Sequence, residues 1–326
     1  MSLPVPQYDY PRKEASWCVR DALLFNLSIG VAPNNIELLH VSALSGLTSR
    51  LYLVDSCYVG VKSGFPNFPN LCDRHKGTNQ DVVDFMSLQK PTDIDLPGVP
   101  SFDRSRVVDG EKCILIHRPL PPSSSGHQFH LEQKLSGIYD KGKLGTIIET
   151  TTRLVDTLSN VSYATVIGSV VAKGQGNWGG PKATQQVRHH IPDRTHDHSA
   201  RCDIPWMAAL LYRLNGDYNP LHIDPQAAHQ AGFERPIVHG LYTWNTIAYK
   251  ISQILFPGNY TALKQYQARF SAPVYPEDKL TIHIWRIGPS QRDEGEEARF
   301  VATNQNGITV LSNGIVVWRA QEESRL

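Results

Sequence analysis

The 326-residue chain has no run of about 18 apolar residues, so no part of it reads as a membrane-spanning helix. Its N-terminus, MSLPVPQYDYPRKEAS, lacks an apolar stretch flanked by positive charge, which argues against a secretory signal. There is no surplus of either charge. The 32 Lys and Arg against 31 Asp and Glu leave +1, which argues against a nucleic-acid partner, since such proteins carry a basic excess. Cysteine is scarce: Cys18, Cys57, Cys72, Cys113 and Cys202 are odd in number and never form a Cys-x-x-Cys pair. That pattern argues against a disulfide scaffold and a structural zinc site, and fits free thiols in a reducing compartment. The Gly-rich stretch GQGNWGG (174–180) lacks the Gly-Lys-Ser/Thr ending of a phosphate loop, so it reads as a flexible turn at the mouth of a cleft.

What is present is a 40% hydrophobic composition, enough for a substantial core in one large domain or two ordinary ones. Residues 11–30 form an early helix candidate, and 40–110 read as strand pieces and loops rich in Pro, Gly and Asn. Three β-branched runs at 127–140, 143–156 and 159–173, parted by short polar turns, predict an antiparallel meander. The polar stretch 183–203 reads as a linker between a first half, 1–182, and a second half, 183–326. Residues 204–216 read as helical. In 239–255, Leu241, Trp244, Ala248, Ile251 and Leu255 recur at spacings of three and four and predict the strongest helix. Strands are expected at 266–274, 280–288, 297–305 and 307–320. Helix followed by long antiparallel strands, done twice, predicts an α+β fold: two long helices, each wrapped by an antiparallel sheet.

The chemistry concentrates in YRLNGDYNPLHIDPQAAHQAGFERPIVHGL (212–241). Asp217 and His222 lie in a loop that Gly216 and Pro220 restrict, with Asn219 able to hold its neighbours through its side chain. By spacing alone, an acid/base pair and an Asx-type turn with a His over the core edge account for this loop equally well. Gly240 opens the strong helix, where a ligand atom can approach its N–H and the helix dipole favours negative charge. An ordinary helix-opening glycine fits that position too. The run holding His189, His190, His196 and His198 has no helical i,i+4 ligand spacing, so no metal site is expected there.

With these residues in hand, the sequence resembles the hydratase 2 family: (R)-specific 2-enoyl-CoA hydratases of the MaoC-like, double hotdog type, including the hydratase part of peroxisomal multifunctional enzymes. The 212–241 segment and ARFSAPVYP (268–276) carry the resemblance, with weaker likeness in HRPLPP (117–122) and YDKGKLGTIIE (139–149). It implies that Asp217 and His222 activate a water and transfer its proton, that Asn219 orients them, and that the Gly240 N–H receives the thioester oxygen. It implies a substrate site lined by Tyr218, Asn219, Pro220, Leu221 and Phe270, with Lys141 on the CoA portion. Asp109-Gly110 falls where relatives carry His-Gly, a departure that bears on acyl-chain preference. It further implies a first half without a catalytic loop, whose cleft takes the acyl chain. No cofactor or metal is implied; acyl-CoA is the substrate.

A homodimer is expected. The terminal Ser324-Arg325-Leu326 differs from the peroxisomal Ser-Lys-Leu signal by Arg for Lys, so the peroxisome and its import receptor are expected; a solvated charged tail fits the same residues. A dehydratase in a specialised biosynthetic route, a non-catalytic acyl-CoA binder and, last, a hotdog thioesterase are the alternatives.

Overall fold

A computed structural model describes residues 8–31, 98–103, 106–182, 188–290 and 295–320. The first half contributes β1 (Tyr8–Asp9), β2 (Lys13–Ala15), α1 (Val19–Ser28), β3 (Val107–Ile116), β4 (Phe129–Asp140), β5 (Gly145–Asp156) and β6 (Val161–Lys173). The second contributes β7 (His198–Asp203), α2 (Ala208–Tyr212), α3 (Pro225–Gln230), α4 (Gly240–Leu255), β8 (Leu263–Phe270), β9 (Lys279–Pro289), β10 (Glu296–Thr303) and β11 (Thr309–Trp318). Hydrogen-bonded neighbours run β1-β4-β5-β6-β3-β8-β11-β10-β9-β7, with β2 also on β4. Every pairing is antiparallel, and β3 against β8 joins the halves, in register from Glu111↔Arg269 to Leu115↔Gln265.

Strand alternation supplies the inner face. Leu280, Ile282 and Ile284 of β9, and Ala298, Phe300 and Ala302 of β10, are buried at every second position, as the pleat requires. Against this face lies α4, buried on most of its circumference. Trp244 sets its ring edge-on to Tyr266 at 4.3 Å, and the Tyr266 hydroxyl donates to the Trp244 carbonyl at 3.0 Å. Tyr266 in turn stacks on Phe300 at 5.3 Å. Burying each such side chain stabilises the fold by roughly 2–3 kcal/mol. No helix among the described residues is long and apolar enough to cross a membrane.

A polar hub sits where the halves meet. Glu111 accepts from Arg269 Nη2 at 2.7 Å, from Asn313 Nδ2 at 3.0 Å and from the Gln267 amide. Asn313 Oδ1 also accepts from the His189 N–H at 2.7 Å, which lays the segment after residue 187 along the sheet.

A second polar knot fixes the end of β5. Buried Asp156 faces His127 Nδ1 at 3.1 Å and accepts from the Gln128 and Leu158 N–H groups and the Ser159 hydroxyl. The His127 hydrogen bond, helped by the other donors, holds its carboxyl down at about 2. A folded pKa below the ordinary value near 3.9 means stability that is present above about pH 4 and lost as pH falls toward the folded value. The Tm gap between the wild type and Asp156→Asn is therefore expected to narrow from pH 5 to pH 2. Parallel Tm profiles over that range would contradict it.

Several sequence expectations change. The early helix candidate of 11–30 shortens to α1, because Lys13–Ala15 pairs with β4 and the Cys18 N–H is capped by Asp21 Oδ2 at 2.9 Å. Part of the 183–203 linker is β7, paired with β9 from Cys202↔Leu280 to His198↔Ile284. Within 204–216 the α-helix is only α2, followed by a 3₁₀ turn at Arg213–Asn215 that stops at Gly216 with φ +116°. The strand expected at 266–274 runs as β8, and β3 was not foreseen as a strand. Among the described residues α4 is the longest helix; most of the 40–110 stretch lies outside them, as does Ser324-Arg325-Leu326. The GQGNWGG turn is tied down rather than flexible. Asp140 accepts from the Gly142, Asn177 and Gly179 N–H groups at 2.7–2.9 Å, and Trp178 Nε1 donates to Thr146 Oγ1 at 2.9 Å.

Candidate active site

The loop between α2 and α3 is set by its own side chains. Gly216 supplies the left-handed backbone that ends the 3₁₀ turn, which an L-side chain rarely adopts. Asp217 Oδ1 accepts from the Asn219 N–H at 3.2 Å. Asn219 Oδ1 accepts from the Leu221 N–H at 3.1 Å and caps the turn Pro220–His222, with proline at its first position. Asp224 then caps α3 in the same way, with Pro225 behind it. Both candidate reactive groups end buried, Asp217 at 5% exposure and His222 at 3%.

The His222 ring is oriented by the backbone ahead of α4. Its Nδ1 lies 2.9 Å from the Ile237 carbonyl oxygen. A carbonyl only accepts, so Nδ1 carries hydrogen and Nε2 of the neutral ring is the basic nitrogen. His239, the residue before α4, donates from Nε2 to the Asp217 carbonyl at 3.0 Å. Its ring stacks on that of His222 with centroids 3.8 Å apart. A polar atom from each of Asp217, His222 and His239 lies within 4.8 Å of the others. A carboxylate and imidazoles this close are an acid/base constellation; the same donor types can also hold a divalent cation.

Gly240 brings the halves together at this point. A Cβ placed there would lie 2.9 Å from Asp109 Oδ2 and 3.3 Å from Phe270 Cε1. Three residues read separately in the sequence thus meet at one position: Asp109 from β3, Phe270 from β8 and Gly240 from α4. The His239 side chain makes no capping bond to the first-turn N–H groups of α4, which suits them to a developing oxyanion.

The remaining candidates are placed as follows. Asn219 is the turn cap, and Pro220 and Leu221 are half-buried in the same turn. Tyr218 is buried with its ring under the Arg213 guanidinium at 5.3 Å. Gly110 belongs to the bulge of β3: its absent Cβ would meet Ser169 Oγ at 2.7 Å, and that hydroxyl accepts from the Glu111 N–H. Lys141 is exposed on the β4–β5 turn. No contact joins it to the Asp217 group among the described residues. The His-rich run forms no ligand cluster among the described residues; His196 instead packs on His283 at 4.5 Å. Burial first, then His196, lowers the pKa of His283. The side chain that sequence reasoning passed over is His239, the residue before Gly240. A histidine just before a strong helix, in a position that usually holds a capping Ser, Thr, Asp or Asn, was the available signal.

The MaoC like domain matches residues 184–307. A probable dehydratase, NIT22, of Ajellomyces capsulatus is 33% identical over 98% of this chain and 83% of its own length. The enoyl-CoA hydratase ChsH3 of Mycobacterium tuberculosis is 31% identical over 93% of each chain. The peroxisomal enoyl-CoA hydratase 2 of Arabidopsis thaliana is 34% identical over 60% of this chain and 64% of its own.

The chain belongs to the hydratase 2 family.

Membership makes this hydratase 2 chain a hydro-lyase of the hydratase/dehydratase type. A solved MaoC-like dehydratase from Phytophthora capsici superposes with a TM-score of 0.75, at 29% identity, over 99% of this chain and 98% of that one. A Mycobacterium tuberculosis protein described as a double hotdog matches at a TM-score of 0.51 and 14% identity, over 97% of this chain and 96% of its own, which bears on fold alone. The hydratase 2 chain therefore has the α+β double hotdog architecture.

Proposed function

We propose that the protein adds water reversibly to a trans-2-enoyl-CoA to give the (3R)-3-hydroxyacyl-CoA, with Asp217 and His222 as the acid/base pair and the Gly240 N–H as oxyanion donor. One observation carries the assignment: a buried carboxylate and a tautomer-fixed imidazole sit together beside the N-terminus of α4. In the hydration direction the water oxygen bonds to C3 while the C2=C3 π bond opens. The water gives up one proton to the pair, and the pair delivers one proton to C2. Negative charge passes through the thioester oxygen, where the Gly240 N–H and the helix dipole meet it. The reverse sequence expels the 3-hydroxyl as water. Asn219 holds the loop, Phe270 and Asp109 border the acyl thioester, and Lys141 meets the CoA portion.

Dehydration of a 3-hydroxyacyl thioester in a biosynthetic route is the second reading. It is favoured by the probable dehydratase that matches nearly the whole chain. The deciding assay follows the enoyl thioester absorbance with trans-2-enoyl-CoA of short and long chain, in both directions, with chiral analysis of the product. Turnover to the (3R) product supports hydration. Turnover only with carrier-protein thioesters favours the biosynthetic dehydratase. Binding without turnover on every thioester leaves a binder and refutes both enzymatic readings. The plant relative's name supports the peroxisome as compartment, and recognition by the import receptor follows from it. A fluorescent fusion of the whole chain that stays diffuse in the cytosol would refute that placement. The homodimer is checked by sedimentation.

A further inference from the structure

We propose that His239 is a positioning residue that holds the acid/base pair in register with the oxyanion donor; this rests on the hydratase reading of the site. His239 is buried at 2% exposure and touches every part of the machinery. Its Nε2–H is donated to the Asp217 carbonyl at 3.0 Å, so the catalytic loop is anchored at the residue that carries the carboxylate. Its ring lies on the His222 ring at 3.8 Å with planes 28° apart. Its carbonyl carbon is bonded to the Gly240 nitrogen, the proposed oxyanion donor.

The stack has a specific task. The hydrogen bond from His222 Nδ1 to the Ile237 carbonyl fixes one nitrogen of the ring. A flat neighbour at van der Waals distance sets the plane of the ring and so aims Nε2. His239 is itself held from the other side. Tyr212 packs on it at 5.2 Å, the Tyr212 hydroxyl accepts from Asn245 Nδ2 at 2.9 Å, and Asn245 belongs to α4. Tyr242, one turn into α4, packs edge-on to Tyr212 at 5.6 Å. Asp217, His222 and Tyr212 thus meet His239, Tyr242 backs Tyr212, and Asp109 approaches the neighbouring Gly240. Burial first, then Cys202, raises the Tyr242 hydroxyl far above its ordinary value, so it stays neutral. In proton transfer a displacement of about 1 Å costs on the order of 10²-fold, so an anchor of this kind affects rate far more than substrate affinity.

The test compares His239→Leu, which removes donor and ring, with His239→Gln, which keeps an N–H donor of similar reach. With trans-2-enoyl-CoA, His239→Leu is expected to lose about 10²-fold in kcat with KM within about threefold, and His239→Gln to recover at least about tenfold of that loss. Wild-type kcat in both variants overturns the proposal. So does a loss in which kcat, KM and Tm all worsen together and Gln rescues nothing, since that is the signature of a merely structural residue. Imidazole nitrogen NMR of the ligand-free protein gives a second reading independent of turnover. The wild type should show His222 as a single Nδ1–H tautomer, and His239→Leu should show that signal averaged or split. Should the wild type turn over no thioester, the hydratase reading fails separately. An unchanged His222 spectrum in His239→Leu then overturns the positioning role as well.

Discussion

Replacing His222 with alanine should lower turnover of the enoyl thioester by about 10²–10⁴ while the protein stays folded. The size follows from what the ring does. With hydrogen fixed on Nδ1 by the Ile237 carbonyl, Nε2 is the basic nitrogen that the His222 ring offers beside Asp217. His239 has its Nε2–H committed to the Asp217 carbonyl, which ties its ring to the backbone of the loop. Asp217→Asn is expected to cost a similar factor, since the isosteric amide can keep its contact with the Asn219 N–H but cannot accept a proton. The double variant should be little worse than either single one, as residues acting as a unit are not additive. Steady-state kinetics with thermal melts decide it. Near-normal rates in both single variants would remove the acid/base assignment. A fall in Tm matching the fall in rate would mean the loop, and not its chemistry, had been lost.

How much of this was legible in the sequence depended on whether a signal was local. The β4–β5–β6 meander announced itself through β-branched runs such as TIIETTTRLV, and α4 through its three-and-four spacing. The 217–222 loop was readable because its hydrogen bonds span only two residues, Asp217 to Asn219 and Asn219 to Leu221. β3 was hidden because VVDGEKCILI looks too polar for a central strand. Its Glu111 is matched by Gln267, Arg269 and Asn313, far away in the chain, and its Lys112 is buried at 2% exposure. A bulge between Asp109 and Glu111 also breaks the period-two pattern on which a strand reading depends. HSARCD gives β7 no β-branched residue, so nothing in its composition marks the strand that pairs with β9 and buries Cys202. The same logic explains His239: its role comes from a stack and a carbonyl 22 positions upstream, and spacing encodes neither.

The meeting of Asp109, Phe270 and Gly240 leads to the other large effect. Gly240→Ala is expected to lower kcat/KM by about 10²-fold or more, approaching the roughly 3 kcal/mol that a preorganised oxyanion donor supplies. Helix formation would not suffer, because alanine is the better helix former and Gly240 is the first residue of α4. The cost arises where β3, β8 and α4 meet. The new methyl would sit 2.9 Å from Asp109 Oδ2 and 3.3 Å from the Phe270 ring. Phe270 lies on β8, paired to Leu311, and cannot retreat without moving the sheet. Asp109 Oδ2 is the nearer contact, and displacing it disturbs the space the thioester is proposed to use. Gly240→Ala combined with Asp109→Ala should therefore recover part of the lost affinity while kcat stays low, because the methyl still crowds the approach to the N–H. Asp109→Asn alone separates charge from bulk. A carboxylate at the N-terminus of a 16-residue helix is attracted to the same dipole as the substrate oxygen, so neutralising it should lower KM severalfold. If Gly240→Ala keeps wild-type kcat/KM, the close approach at residue 240 has no catalytic purpose, and the oxyanion donor must be sought elsewhere in the first turn of α4.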